Sequence, residues 1–311
     1  MRKDGRIEMN AALYEYLTEV LGRENVLKQE PMRRHTTFQV GGEAECFAKI
    51  QEKSQLITIM DYLRKTEQPY FVLGNGSNIL VSDKGYEGVI LDLSAGLRSI
   101  EIEGKRVTAE AGALLSTVAV RACEAGLAGF EFAAGIPGTI GGAIVMNAGA
   151  YDGEMKHVVE SVTVLGEDGE IMVLDNDTME FGYRSSIIKN RPFIVLETVL
   201  LLEAGNKEQI KGRMDELNKR RRDKQPLNYP SAGSTFKRPE GHFAGKLIMD
   251  AGLRGFRIGG ARVSEKHCGF VINEGNATAT DVADVIDEVI ERVRDKFGVT
   301  LETEIIKLGD F

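Results

Sequence analysis

The segment Gly135-Ile136-Pro137-Gly138-Thr139-Ile140-Gly141-Gly142-Ala143 places four glycines and a proline in nine residues. Glycine is entropically costly inside helices and strands, and proline withholds a donor. The stretch is therefore expected to be neither a regular helix nor a central strand. A turn of this kind can bring several backbone NH groups against an anion with no Cβ in the way. A second glycine-rich turn, Gly74-Asn75-Gly76-Ser77-Asn78, lies upstream, and both are flanked by apolar, strand-like runs. Two such turns suggest a ligand with an extended phosphate-bearing backbone, such as a dinucleotide; a pair of tight loops in a sheet-rich domain is the plain alternative.

Four further groups could do chemistry or hold a charged ligand. Ser231-Ala232-Gly233-Ser234-Thr235-Phe236 is a small-residue turn in which a serine could exchange a proton with a bound substrate, or simply be an ordinary polar loop. It is not a GxSxG elbow, so a serine hydrolase has little support. Tyr183-Arg184-Ser185-Ser186 offers an arginine suited to a carboxylate, or a surface arginine. Glu302 and Glu304 alternate in a strand-like run and are expected to share a face opposite Leu301 and Thr303. A glutamate facing a cleft can have its pKa raised and serve as a hydrogen-bonding acid; on an open face it is merely solvated. The cluster Lys219-Arg220-Arg221-Arg222 could attract a pyrophosphate or be the solvated side of a helix.

These groups must be positioned by a soluble α+β chain. A net charge of −8 over 311 residues gives a nucleic-acid partner no general electrostatic support. No apolar run approaches the ~20 residues of a membrane span, and Met1–Arg6 leads into polar sequence rather than a signal core. Cys46, Cys123 and Cys268 are odd in number and far apart, and the four histidines lack ligand spacing. No metal, no disulfide and a reducing cytoplasm are expected.

Apolar periodicity predicts a helix through Leu13, Leu17 and Leu21, and another behind Ser54 with Leu56, Ile59, Met60 and Leu63. Tyr70–Leu73 is an apolar strand that delivers the first glycine turn, and strands follow at 79–81 and 89–93. Strand signals dominate residues 98–203, interrupted by a helix over 115–125; Gly166–Gly169 is a hairpin turn. After residue 205 come an amphipathic helix with Ile210, Met214 and Leu217, a turn-rich stretch over 226–239, a helix over 244–251 and a strand over 268–273. Thr278 and Asp281 form a capping box for a long helix that Gly298 stops, and 299–306 reads as a strand. No GxGxxG lies between a first strand and helix, so the dinucleotide-binding fold that needs one does not fit.

In order and spacing, Thr36–Gly42, Leu73–Asn78, Gly135–Ala143, Tyr183–Ser186, Ala232–Ser234 and Leu301–Ile305 resemble the UDP-N-acetylenolpyruvoylglucosamine reductase family, flavoenzymes of bacterial cell-wall precursor synthesis. The resemblance covers nearly the whole chain. It implies an α+β fold of the vanillyl-alcohol-oxidase (PCMH) type that binds FAD, with an additional α+β substrate-binding domain. The domains expected are 1–93 joined by 299–311, 94–204, and 205–298. The two turns, with Gly74, Asn75, Gly76, Ser77, Asn78, Gly135, Pro137, Gly138, Thr139, Gly141, Gly142 and Ala143, then bind FAD.

The implied reaction passes hydride from NADPH by way of FAD to the enolpyruvyl C3 of a UDP-sugar and adds a proton at C2. By resemblance Ser234 is the proton donor, Arg184 stabilises charge on the substrate carboxylate, and Glu304 assists from the opposite side. Lys224, ten residues before Ser234, matches a lysine that holds the substrate nucleotide; Tyr183 and Tyr229 are assigned to substrate binding. Some members carry a lid tyrosine after the Tyr-Arg motif. Here only residues 187–192 separate Ser186 from Phe193, so the short form is implied. A monomer is expected. Another FAD oxidoreductase of the same fold, with His35 the one histidine near the early motifs, is the first alternative; a non-catalytic nucleotide-binding protein is the second.

Overall fold

The computed structural model describes residues 11–151 and 153–311; the polar stretch Met1–Arg6 lies outside them. Helix α1 (Ala11–Leu21) buries Leu13, Leu17 and Leu21. It packs with α2 (Lys53–Lys65), which buries Leu56, Ile59, Met60 and Leu63. The N-cap of α2 is Glu52, with which Gln55 closes a capping box. Both helices cover a sheet of β1 (Val26–Pro31), β2 (Glu43–Lys49), β3 (Tyr70–Leu73) and β5 (Tyr86–Asp92), in the order β1-β2-β5-β3. Strands β2, β5 and β3 run parallel. Strand β4 (Ile79–Val81) leaves this sheet and pairs in parallel with β18 (Ile306–Leu308).

A second, antiparallel sheet contains β6 (Ile100–Glu103), β7 (Arg106–Glu110), β11 (Val159–Leu165), β12 (Ile171–Asp175) and β13 (Ile194–Leu201), in the order β12-β11-β13-β7-β6. Helices α3 (Leu115–Glu124) and α4 (Ile140–Val145) lie between its strands in sequence, with two short antiparallel pairs, β8 (Leu127–Ala128) with β14 (Glu203–Ala204) and β9 (Gly149–Ala150) with β10 (Gly153–Glu154). One apolar cluster runs from α1 and α2 through this sheet to α3 and α4. Helix α5 (Lys207–Lys224) belongs to the 205–298 stretch, yet its Ile210 and Met214 bury in that same cluster.

A second cluster joins α6 (Ala244–Asp250), α7 (Ala279–Phe297) and a small sheet of β15 (Arg257–Ile258), β16 (Ala261–Val263) and β17 (Val271–Asn273). Phe38, Val40 and Leu80 bury in it from the first unit, and Leu301 and Ile305 from the C-terminal stretch. Helix α7 has the expected reciprocal box between Thr278 and Asp281, and Gly298 ends it at φ 68°. Thr278→Ala is expected to lower the unfolding free energy by about 1 kcal/mol, and Thr278→Ser by much less. Urea unfolding of the two variants checks this.

Three expectations are corrected. Residues 140–143 are helical after all: Thr139 caps α4 and Gly142 donates to its hydroxyl. Packing outweighs the propensity penalty there, since Ile140 and Gly141 NH donate to the Ala113 and Ala111 carbonyls. A Cβ on Gly141 would come within 3.1 Å of Ala111 Cβ. Regular strand in the last segment is confined to Ile306–Leu308, not 299–306. Its preceding residues bond instead to the serine loop, through Lys237 NH to Glu302 O and Glu304 NH to Thr235 O. The strand expected over 268–273 begins only at Val271, because Gly269 O accepts from Thr235 NH and Phe270 NH closes a turn onto His267 O.

Candidate active site

Strand β3 delivers Gly74–Asn78 against the second glycine turn. Asn75 Nδ2 donates to Pro137 O at 2.8 Å, and a Cβ on Gly74 would sit 2.4 Å from Thr139 Oγ1. Gly76 has φ +60°, and a Cβ there would fall 1.9 Å from His35 O. The backbone NH groups of Asn75, Gly76, Ser77, Asn78, Gly138 and Thr139 have no partner among the described residues. These are the donors that an extended phosphate-bearing ligand would need. The NH groups of Gly141, Gly142 and Ala143 are bonded to Ala111 O, Thr139 Oγ1 and Thr139 O. Gly141 and Gly142 instead line a slot of about 100 Å³ with Leu73, Val145 and Phe193.

One cation of the basic cluster reaches these turns. A Cβ on Gly135 would lie 3.2 Å from Arg221 Cδ and 3.3 Å from its Nη1. Arg221 donates to Gln225 Oε1 at 2.9 Å, has no carboxylate partner among the described residues, and burial holds its pKa below the usual arginine value. Lys219, Arg220 and Arg222 are exposed, with Arg220 paired to Glu216. The helical spacing of Ile210, Met214, Leu217 and Arg221 is the sequence signal that singles Arg221 out.

Two of the residues expected to do chemistry, Arg184 and Glu304, are in contact, and the third, Ser234, precedes a backbone partner of Glu304. Arg184 Nε donates to Glu304 Oε1 at 2.7 Å, with side chains 22% and 15% exposed. Arg184 Nη2 also donates to Gly149 O at 3.3 Å. Arg184 adopts φ +52°, a left-handed conformation that costs a non-glycine residue about 1–2 kcal/mol. Glu304 NH bonds to Thr235 O at 2.8 Å, one residue from Ser234, and Glu304 O accepts from Asn78 Nδ2 at 3.1 Å. Thr235 is fixed by Gly269 O and by Val271 NH on its hydroxyl. The Ser234 hydroxyl makes no hydrogen bond among the described residues.

Burial raises the Glu304 pKa above the ordinary carboxylate value, opposed by Arg184, Lys189 and Lys237. Glu302 behaves differently although it lies two residues away. It is 73% exposed and paired with Lys237 at 2.8 Å, which lowers its pKa. Lys189 and Lys237 had no sequence signal tying them to Glu304.

Tyr183 is exposed, accepts from Arg238 NH at 3.0 Å, and its ring lies 5.2 Å from the Arg184 guanidinium. Lys224 is exposed at the end of α5 and no contact joins it to Ser234 or Glu304. Tyr229 lines a separate cavity of about 630 Å³ with Arg33, Asp83 and Asn273. The His35 ring is engaged elsewhere, bonded to Glu30 at 3.0 Å and stacked on Phe47. Among the described residues, no helix is long and apolar enough to cross a membrane.

The two turns, their unpartnered NH groups and half-buried Arg221 fit the pyrophosphate of the FAD that the resemblance implies. Gly76→Ala combines positive φ with a backbone clash, and FAD affinity is expected to fall by at least about tenfold. Titrating FAD into the apo-protein and following flavin fluorescence measures this.

Comparison with known proteins gives consistent matches. Residues 225–308 match the family "UDP-N-acetylenolpyruvoylglucosamine reductase, C-terminal domain", and residues 44–175 match "FAD binding domain". The chain is 54% identical over 302 residues to the UDP-N-acetylenolpyruvoylglucosamine reductase of Caldanaerobacter subterraneus subsp. tengcongensis, covering 97% of this chain and all of that protein (100% of its length). The Clostridium perfringens (strain SM101) reductase is 51% identical over 296 residues, covering 95% of this chain and 97% of that protein. The crystal structure of the Thermus caldophilus enzyme superposes with a TM-score of 0.78 at 36% identity, covering 91% of this chain and 98% of that one.

Proposed function

Because the chain belongs to the UDP-N-acetylenolpyruvoylglucosamine reductase family, we infer that it reduces UDP-N-acetylglucosamine enolpyruvate to UDP-N-acetylmuramate in peptidoglycan precursor synthesis. FAD is its cofactor and NADPH its co-substrate. When bound, FAD would supply hydride chemistry, carrying a hydride from NADPH to the enolpyruvyl C3, between the glycine turns that would hold its pyrophosphate.

The roles of the chain's own residues follow from where charge develops. Addition at C3 of an enol ether conjugated to a carboxylate builds negative charge on that carboxylate and on C2. Arg184 stabilises this charge more in the transition state than in the ground state. The Ser234 hydroxyl, with no protein partner to hold its proton, gives that proton to C2. Glu304 holds the guanidinium by Nε, so that the cation is oriented before the substrate arrives.

One observation carries the reading. Glu304 is bonded at once to Arg184, to Thr235 beside Ser234, and to Asn78 of the first glycine turn. The cation, the serine loop and the first glycine turn are thus tied to one residue, the first through its side chain and the others through its backbone. Gly74–Asn78, Gly138 and Thr139 would hold the FAD pyrophosphate, with Arg221 as its countercharge.

Tyr183, Lys224 and Tyr229 are assigned to the UDP-sugar; the contact of Tyr183 with Arg238 beside the serine loop supports the first of these. The three free cysteines suit a reducing cytoplasm, where a monomer would serve wall growth and hence cell shape and division.

Incubating the FAD-loaded protein with NADPH and the enolpyruvyl UDP-sugar should give UDP-N-acetylmuramate by mass spectrometry, one per NADPH consumed. A flavin-loaded protein that turns over NADPH without this product would refute the assignment.

A further inference from the structure

We propose that Lys189 is a positioning residue for this reaction, its ammonium holding Arg184 in the left-handed turn that aims the guanidinium at Glu304. The inference rests on the functional reading above.

Gly182 and Ser185 close the turn by bonding to each other in both directions, at 3.0 and 3.3 Å. Those bonds leave the Arg184 carbonyl outside the turn's own pairing, and Lys189 Nζ donates to it at 3.2 Å. The flanks are pinned separately: Asn147 Nδ2 donates to Gly182 O at 2.9 Å, and Ser186 Oγ to Val145 O at 3.1 Å. Lys189 therefore anchors the middle of the turn, where the backbone is strained at φ +52°. It ends a single 3-10 turn, Ile187–Lys189, inside the short connection between Ser186 and Phe193.

Its charge points the same way. Lys189 has no carboxylate within ion-pair distance among the described residues, whereas Lys237 is paired with Glu302. The charged groups around Glu304 are Arg184, Lys189 and Lys237. Partial burial and the neighbouring Lys237 push the Lys189 pKa below the usual lysine value. Lys189 is exposed along its stem, yet its ammonium is bonded to the Arg184 carbonyl and acts on the Glu304 carboxylate.

The test uses FAD-loaded Lys189→Met, Lys189→Gln and Lys189→Arg, reduced by NADPH without oxygen and mixed rapidly with the enolpyruvyl UDP-sugar. In Lys189→Met the limiting rate of flavin reoxidation is expected to fall ~10–100-fold, while the half-saturating substrate concentration stays within about threefold. Reduction by NADPH should stay within about twofold of the parent. Lys189→Arg should recover to within about threefold, and Lys189→Gln, which keeps a donor for the carbonyl, should fall between. Should Lys189→Met fail to retain FAD, the comparison of Gln with Arg carries the same test.

An unchanged limiting rate, a loss confined to substrate saturation, or an Arg variant as slow as Met or Gln would overturn the positioning role. A parent protein whose reduced flavin ignores the substrate would instead overturn the functional reading itself.

Discussion

Ser234→Ala is expected to slow reoxidation of the reduced enzyme by the enolpyruvyl UDP-sugar by ~10²–10⁴-fold, the usual scale of a positioned proton donor. FAD binding and reduction by NADPH should stay within about twofold of the parent, because neither step needs a proton at C2. Ser234 is held by its neighbours: Gly233 turns the chain at φ +73°, and Thr235 is bonded to Gly269, Val271 and Glu304. Removing one hydroxyl that makes no protein hydrogen bond should leave that frame intact. Rapid-mixing absorbance separates the two half-reactions; equal slowing of both would remove the proton-donor role.

Arg184→Met is the second large effect expected. Loss of a preorganised charge-stabilising donor should slow the same oxidative half-reaction by ~10²–10³-fold. Reduction by NADPH should again be little changed. The substitution also leaves half-buried Glu304 without its main countercharge. Arg184 acts to lower the Glu304 pKa, so its removal moves that pKa further up from an already raised position. As pH falls, protonation of Glu304 therefore sets in at a higher pH than in the parent. A carboxyl titration followed by infrared difference spectroscopy, with Glu304→Gln as the control, should show this upward displacement. A downward displacement would contradict the ion pair's role.

Much of the site was legible because its parts are local. Gly74–Asn78 follows an apolar strand, and Gly76 is required by the close approach to His35 O. The capping box of α7 was readable from two residues and a buried stripe. What escaped is long-range. The alternation Leu301, Glu302, Thr303, Glu304 and Ile305 imitates a strand, yet the backbone partners lie near 235–237, out of reach of any pattern within the segment. Helix α4 escaped because carbonyls of Ala111 and Ala113, not local propensity, support its glycine-rich start. Only its register with the buried face of α5 sets Arg221 apart from its three basic neighbours. Lys189 and Lys237 carry no motif, and only folding brings them to Glu304.

The most direct test of the account is sequential. The FAD-loaded protein is reduced with NADPH in the absence of oxygen, the enolpyruvyl UDP-sugar is added, and flavin absorbance is followed. Rapid return of the oxidised spectrum with formation of UDP-N-acetylmuramate is the predicted result. A flavin that NADPH reduces but the enolpyruvyl UDP-sugar leaves reduced would contradict the assignment.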